Sequence, residues 1–195
     1  MEEHNMRDNI PELLFPTRAD FRAWLSENAD ASDGVYLIFG KKKSVVTVKA
    51  TEALEEALCF GWIDGVMEAI DDTKYRKYFA PRRPKSVWSV KNKKIVESLR
   101  ERGLMTERGE RVIAVSVENG KWDERSEESE QALIDTLREK LNAYPVALEV
   151  FCALPPSTQL AEARWYHNYK SAERRETVFC EIVDKLERGD TKIKI

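Results

Sequence analysis

Residues 50–80 read ATEALEEALCFGWIDGVMEAIDDTKYRKYFA, and the spacing of their apolar positions changes partway along. Ala53, Leu54, Ala57 and Leu58 recur at helical period, which puts Glu52, Glu55 and Glu56 on the opposite, solvent-facing side. Those glutamates also lie toward the N-terminal end, where the helix dipole favours negative charge. Gly61 is placed to stop the helix. VMEAI (66–70) and KYRKYF (74–79) then flank the turn-prone pair Asp71 and Asp72, the pattern of an antiparallel hairpin. A helix running straight into a hairpin predicts an α+β fold, with a small, mostly antiparallel sheet packed against helices.

Working outward, Thr17 is placed to cap a helix through Ser26 with Asp20 three residues on, and Phe21, Trp24 and Leu25 form its apolar stripe. VYLIFG (35–40) reads as a buried strand, and SVVTV (44–48) as a shorter one pairing back after the lysines at 41–43. Downstream, Ser89 caps a helix that ends before Gly103, with Ile95, Val96 and Leu99 inward. Thr106 opens another, with Val112, Ile113 and Val117 inward and Asn119-Gly120 as its stop.

Beyond Trp122 no strand signal returns. Leu133, Ile134, Leu137 and Leu141 mark one amphipathic helix, Pro145 opens a second, Ser157 caps a third, and a last one spans about 172–188 with Val178, Phe179, Ile182, Val183 and Leu186 on one side. The organisation predicted is an α+β domain over 1–122, an acidic linker over 123–130 and an all-helical module over 131–195.

The 195 residues are 42% hydrophobic and 34% charged, enough for a sizeable core in a globular chain. No apolar run has the length of a membrane span, and the start, MEEHNMRDNI, has neither a basic nor an apolar region of an export signal, so a cytoplasmic location is expected. Cys59, Cys152 and Cys180, an odd number among apolar neighbours, are expected as buried reduced thiols. With only His4 and His167, the histidines argue against a zinc site, and no nucleophile motif accompanies His167. Neither a metal nor a cofactor is expected.

The net charge of -3 conceals an asymmetry. Residues 74–102 carry eleven lysines and arginines against Glu97 and Glu101, a balance of +9, so the remainder sums to -12. DERSEESE (123–130) holds five of those acids. Within the basic block, APRRPKSVWS (80–89) has prolines that stiffen an extended backbone just before a helix entry. Arg82, Arg83 and Lys85, with Ser86, Ser89 and Asn92 around that entry, are the ingredients of a pocket for phosphate or carboxylate. Trp88 and Trp62, the latter read at the end of the preceding helix, offer flat surfaces for a ring to stack on. Equally, both tryptophans serve as core and the arginines pair with Asp64, Asp71, Asp72 or the acidic stretch. Asp64 itself reads either as a turn residue or as an acid or base.

EALCFGWIDG (56–65), APRRPKSVWS with Asn92, GLMTERG (103–109), GKWD (120–123), LPPS (154–157) and YKSAERRET (169–177) come in the order and spacing of the YdeI/OmpD-associated, or bacteriocin-protection, family, which the chain resembles from about Thr17 to Gly189. The tail departs from it, with ERRET where the family shows an ETR-type run. The resemblance implies a link to tolerance of bacteriocins or cationic peptides, and it marks the GWIDG and PRRPKSxWS positions without supplying catalytic residues.

The expected function is therefore a non-enzymatic binder of an anionic, phosphate- or carboxylate-bearing ligand. The alternatives are an enzyme on an anionic substrate using Asp64, or an interaction protein acting through its acidic stretch or helical module. Specific duplex DNA recognition is not expected, because the chain is acidic as a whole and shows no recognition-helix motif.

Overall fold

A computed structural model of the chain describes residues 10–41 and 45–190, and its contacts divide into two compact units, Met1–Glu124 and Arg125–Ile195. In the first unit, β1 (Glu12–Leu13) is followed by α1 (Arg18–Asn28), β2 (Val35–Gly40), α2 (Ala50–Cys59), β3 (Trp62–Ala69), β4 (Lys74–Pro81), α3 (Val90–Glu101) and α4 (Glu107–Glu118). The strands form one sheet in the order β1-β2-β4-β3, with β1 parallel to β2 and the other pairs antiparallel. This is the α+β architecture the change of period predicts.

The local signals explain most of the boundaries. Thr17 and Asp20 form a reciprocal capping box at the start of α1, and Ser89 and Thr106 cap α3 and α4 by accepting from the amides of Asn92 and Gly109. Asp71 closes the hairpin turn, accepting from the hydroxyl and amide of Thr73, 2.6 Å each, and from the amide of Lys74 at 2.8 Å. These bonds, the Thr73 hydroxyl first, pull its carboxyl down to about 2.

Several expectations are corrected. Ser44 lies outside the described residues, and 45–49 form no strand: β1 and β4 already occupy both edges of β2, so the returning chain has no ladder to join. It is tied instead by Val48 N to the Phe15 carbonyl at 2.8 Å and by Thr47 Oγ1, which accepts from Gly40 N at 3.1 Å. β3 starts at Trp62 rather than Val66, because Gly61, at φ 70°, reverses the chain at once from helix to strand. Asp64 therefore sits in a strand opposite Phe79, just before an irregularity that shifts the register by Met67, and Trp62 is a strand residue. On α4 Val117 is exposed and Ser116 is inward, its hydroxyl returned to the Val112 carbonyl. Glu56 does not face solvent: it is 1% exposed.

The core of this unit gathers Phe21 and Leu25 of α1, the inner face of β2, Ala53, Ala57 and Leu58 of α2, and Trp62, Phe79, Trp88, Val96 and Leu99. α4 starts hard against the end of α2. Thr106 donates its hydroxyl to the Cys59 carbonyl at 2.6 Å, and a Cβ on residue 109 would collide with that same carbonyl, so the position needs glycine.

The second unit is helical throughout its described residues: α5 (Glu127–Leu141), α6 (Pro145–Ala153), α7 (Pro156–His167) and α8 (Ala172–Glu187). Ile134, Leu137, Leu141, Phe151, Phe179 and Ile182 are at its centre. The acidic stretch is not all linker: Ser126 caps α5 and Glu127, Glu128 and Glu130 form its first turn, where the dipole favours them. Ser157 lies inside α7, since Pro156 takes the first helical position. Of the cysteines, Cys59 is buried, but Cys152 and Cys180 are exposed; Cys180 falls between the inward pairs Val178–Phe179 and Ile182–Val183 of α8. Burial pushes the His167 imidazole below its usual range, and His4 lies outside the described residues. No helix among the described residues is long and apolar enough to cross a membrane.

Candidate anion-binding site

The PRRPKSVWS segment leaves β4 with its two arginines pointing apart, as neighbours on extended chain must. Arg83 and Lys85 are exposed, and the Arg83 carbonyl accepts from Ser86 N at 2.9 Å in a turn. Ser86, Ser89 and Asn92 are half-buried around the start of α3, with Ser89 spent on capping.

Arg82 turns inward. It is 8% exposed, its amide donates to the Gly61 carbonyl at 3.0 Å, and its Nη2 donates to the Val87 carbonyl at 3.0 Å. The guanidinium carbon stands 3.8 Å from the centroid of the Trp88 ring, a cation–π stack on a fully buried indole. Its Nε is buried without an acceptor. Burial lowers its pKa to about 10, partly offset by the charge of Asp64, so it stays cationic at neutral pH.

The tryptophans are not ligand platforms. Trp88 is 0% exposed, with Arg82 against it and Trp122 at 4.9 Å. Trp62 is 0% exposed, meets Trp24 edge-on at 5.8 Å, and donates its Nε1–H to the Ala29 carbonyl at 3.2 Å. Large aromatic area at a junction of helix and sheet is worth most inside the core, and that is where the fold has placed both rings.

Much of the basic block is neutralised at its two ends. Lys77 is bonded to Asp64, Arg76 to Glu68 and Glu12, Arg100 to Glu110, and Arg102 to Glu55. Arg82 has no carboxylate in ion-pair contact among the described residues.

Instead, Arg82 lines a cleft of about 250 Å³ with Pro84, Asp30, and Arg108, Arg111, Val112 and Val115 of α4. Arg108 is spent: Nε bonds Asp30 at 2.6 Å, Nη2 the Ala29 carbonyl at 2.7 Å, and Nη1 the Phe60 carbonyl. Ala29 and Phe60 are the C-terminal caps of α1 and α2, so one guanidinium serves the negative ends of two helices. Among the described residues Arg111 pairs only with Glu107, at 3.7 Å, an exposed pair worth little. Three guanidinium groups thus face one lining carboxylate, Asp30, which leaves a positive excess in a concave place.

Of the residues singled out in the sequence, only Arg82 reaches this cleft. Asp30, Arg108 and Arg111 were missed, although Arg108, Arg111, Val112 and Val115 follow the i, i+3, i+4, i+7 spacing of a single helix face. No group of three or more His, Cys, Asp or Glu among the described residues has the arrangement of a metal site.

Fold and cleft together define an α+β protein with an arginine-lined depression beside its sheet, joined in sequence to a helical unit. Residues 13–112 match the family described as Domain of unknown function (DUF8412), and the chain belongs to that family. The match takes in Asp30, Arg82, Pro84, Arg108, Arg111 and Val112 and ends before Val115. No curated protein and no solved structure matches the chain.

Proposed function

We propose that the protein is a non-enzymatic binder of a small anionic ligand, carboxylate- or phosphate-bearing, held in the cleft by Arg82 and Arg111. The observation that carries this reading is Arg82, a buried guanidinium with an unsatisfied Nε and no bonded carboxylate among the described residues. A buried charge without a partner is costly, and an external anion is the partner that would offset it. The stack on Trp88 and the bond to the Val87 carbonyl hold the guanidinium in place beforehand, so little side-chain entropy is lost when an anion arrives.

Asp64 supports an enzymatic reading less well, since Lys77 donates to its carboxylate. The exposed glutamates at the start of α5 leave a protein-contact role to the helical unit, but Glu130 there is already bonded to Arg164. The resemblance to the YdeI/OmpD-associated family adds a physiological setting, tolerance of bacteriocins or antimicrobial peptides, in which an anion-binding cytoplasmic protein would act.

Calorimetric titration with inorganic phosphate, acetate and AMP at about 0.01 M and about 0.1 M salt tests the reading, because the screening length falls from about 30 to about 10 Å between them. Binding at the lower salt that weakens at the higher is the expected result. Absence of binding for all three at low salt removes the proposal.

A further inference from the structure

We infer that the ligand of this cleft is a small carboxylate carrying an apolar group, with its head on Arg82 and Arg111 and its tail on Val112, Val115 and Pro84. This rests on the anion-binding reading above and narrows it.

The lining is divided by chemistry. Arg108 is the most committed of the three, because each of its nitrogens already donates once, to Asp30 and to the carbonyls of Ala29 and Phe60, which leaves two of its five N–H groups. The donors best placed for a ligand are the Nη1 of Arg82, which is neither bonded among the described residues nor buried as its Nε is, and the exposed fork of Arg111. Beside Arg111 on α4 the lining is hydrocarbon: Val112 is half-buried, and Val115 is 44% exposed although it sits one turn beyond a row of arginines on the same face. A single exposed valine is ordinary, but this one lines a concave site and is covered when an apolar substituent enters.

Charge and size point the same way. Asp30 cancels much of the charge of Arg108, which leaves Arg82 and Arg111 for the ligand. A carboxylate is planar, singly charged and matched to a guanidinium fork, whereas a dianionic phosphate would have to shed strongly held water against two valines and a proline. At about 250 Å³ the cleft is smaller than the sites of roughly 300–1,000 Å³ that enclose drug-sized ligands, so the tail is a few carbons or one ring rather than a long acyl chain.

The test is a titration of the full chain with acetate, propionate, butyrate, valerate and hexanoate, and with inorganic phosphate and AMP as comparators. It is followed by the ¹⁵N–¹H resonance of the Arg82 Nε–H, identified by its loss in Arg82→Met. The expected outcome is a shift of that resonance by every carboxylate, with Kd falling about fourfold per added methylene from acetate to butyrate. Val115→Ser, at an exposed position that folding tolerates, then flattens the dependence on chain length. If phosphate and acetate shift the resonance but affinity is indifferent to chain length, or phosphate binds more tightly than butyrate, the carboxylate inference fails while anion binding stands. If no anion moves the resonance, both fail.

Discussion

Glu56 and Arg82 are buried in the same unit, 1% and 8% exposed, but the fold treats their charges differently. Around Glu56, Arg18 donates to one carboxylate oxygen and Arg22 to the other, and Arg22 continues with a 2.8 Å bond to the Leu104 carbonyl. One carboxylate on α2 thereby fastens α1 and, through Arg22, the turn between α3 and α4. Arg82 receives a carbonyl, the face of an indole and the distant charge of Asp64, and its Nε is left without an acceptor. The first charge holds the fold together. The second is held by the fold, which is the arrangement the proposed binding role requires.

Removing one partner of a buried pair leaves an uncompensated charge and typically costs about 3–5 kcal/mol. In Glu56→Gln Arg18 keeps Glu55 and both arginines are partly exposed, so the change is expected to lower the unfolding free energy by less, about 2–3 kcal/mol in urea denaturation. A change of under about 1 kcal/mol would mean that Glu56 does not carry the clamp role given to it. The helical unit supplies an independent copy of the same logic, because Lys185 and Glu162 are bonded to each other at 5% and 2% exposure, with Glu162 Oε2 unsatisfied. Lys185→Met alone is expected to cost about 3 kcal/mol, and the double change Lys185→Met, Glu162→Leu to recover most of it. A double variant as unstable as the single would show that the pair contributes more than mutual compensation.

Arg82→Met breaks the comparison from the other side. Its flexible apolar chain replaces a charge that lacks an ion-pair partner, so stability is expected to stay within about 1 kcal/mol of the parent or to rise. Anion binding, by contrast, should drop by at least about tenfold, the scale of one charge-assisted hydrogen bond. Loss of stability comparable to that of Glu56→Gln would move Arg82 into the structural class and leave the cleft without its main donor.

The fold was legible because its signals are local. The helical run from Ala53 to Leu58, the caps at Thr17, Ser89 and Thr106, and the six-residue strand at Val35–Gly40 each depend on a few neighbouring residues. What could not be read depends on which faces meet. Glu56 looks solvated until α1 brings Arg18 and Arg22 over it, and 44–48 read as a strand until both edges of β2 are occupied. The same holds for the site. Arg82 and Arg83 are neighbours of one type in the sequence, and it takes the Trp88 stack and the bond of the Arg82 amide to the Gly61 carbonyl to show which turns inward. Arg108 and Arg111 join Arg82 because Gly61 and Gly109 allow α4 to lie against the end of α2, a contact between residues nearly fifty positions apart.

The smallest expected effect separates the roles of two charges that line the cleft, Asp30 and Arg108. Asp30 is 84% exposed and bonded to Arg108 at 2.6 Å, where Arg108 is also fixed by the carbonyls of Ala29 and Phe60. Because those two bonds survive, Asp30→Asn should leave Arg108 in position, at a stability cost of no more than about 1 kcal/mol for the lost exposed pair. The same change removes the lining carboxylate, so acetate affinity at low salt is expected to rise about two- to threefold, an advantage that screening should erase at high salt. The sign is what matters: a carboxylate that merely supported the cleft would weaken binding when removed, whereas one that competes with the ligand for positive potential must strengthen it. Calorimetry of Asp30→Asn beside the parent at two ionic strengths reads that sign directly, and weaker binding in the variant would place Asp30 among the supports of the site.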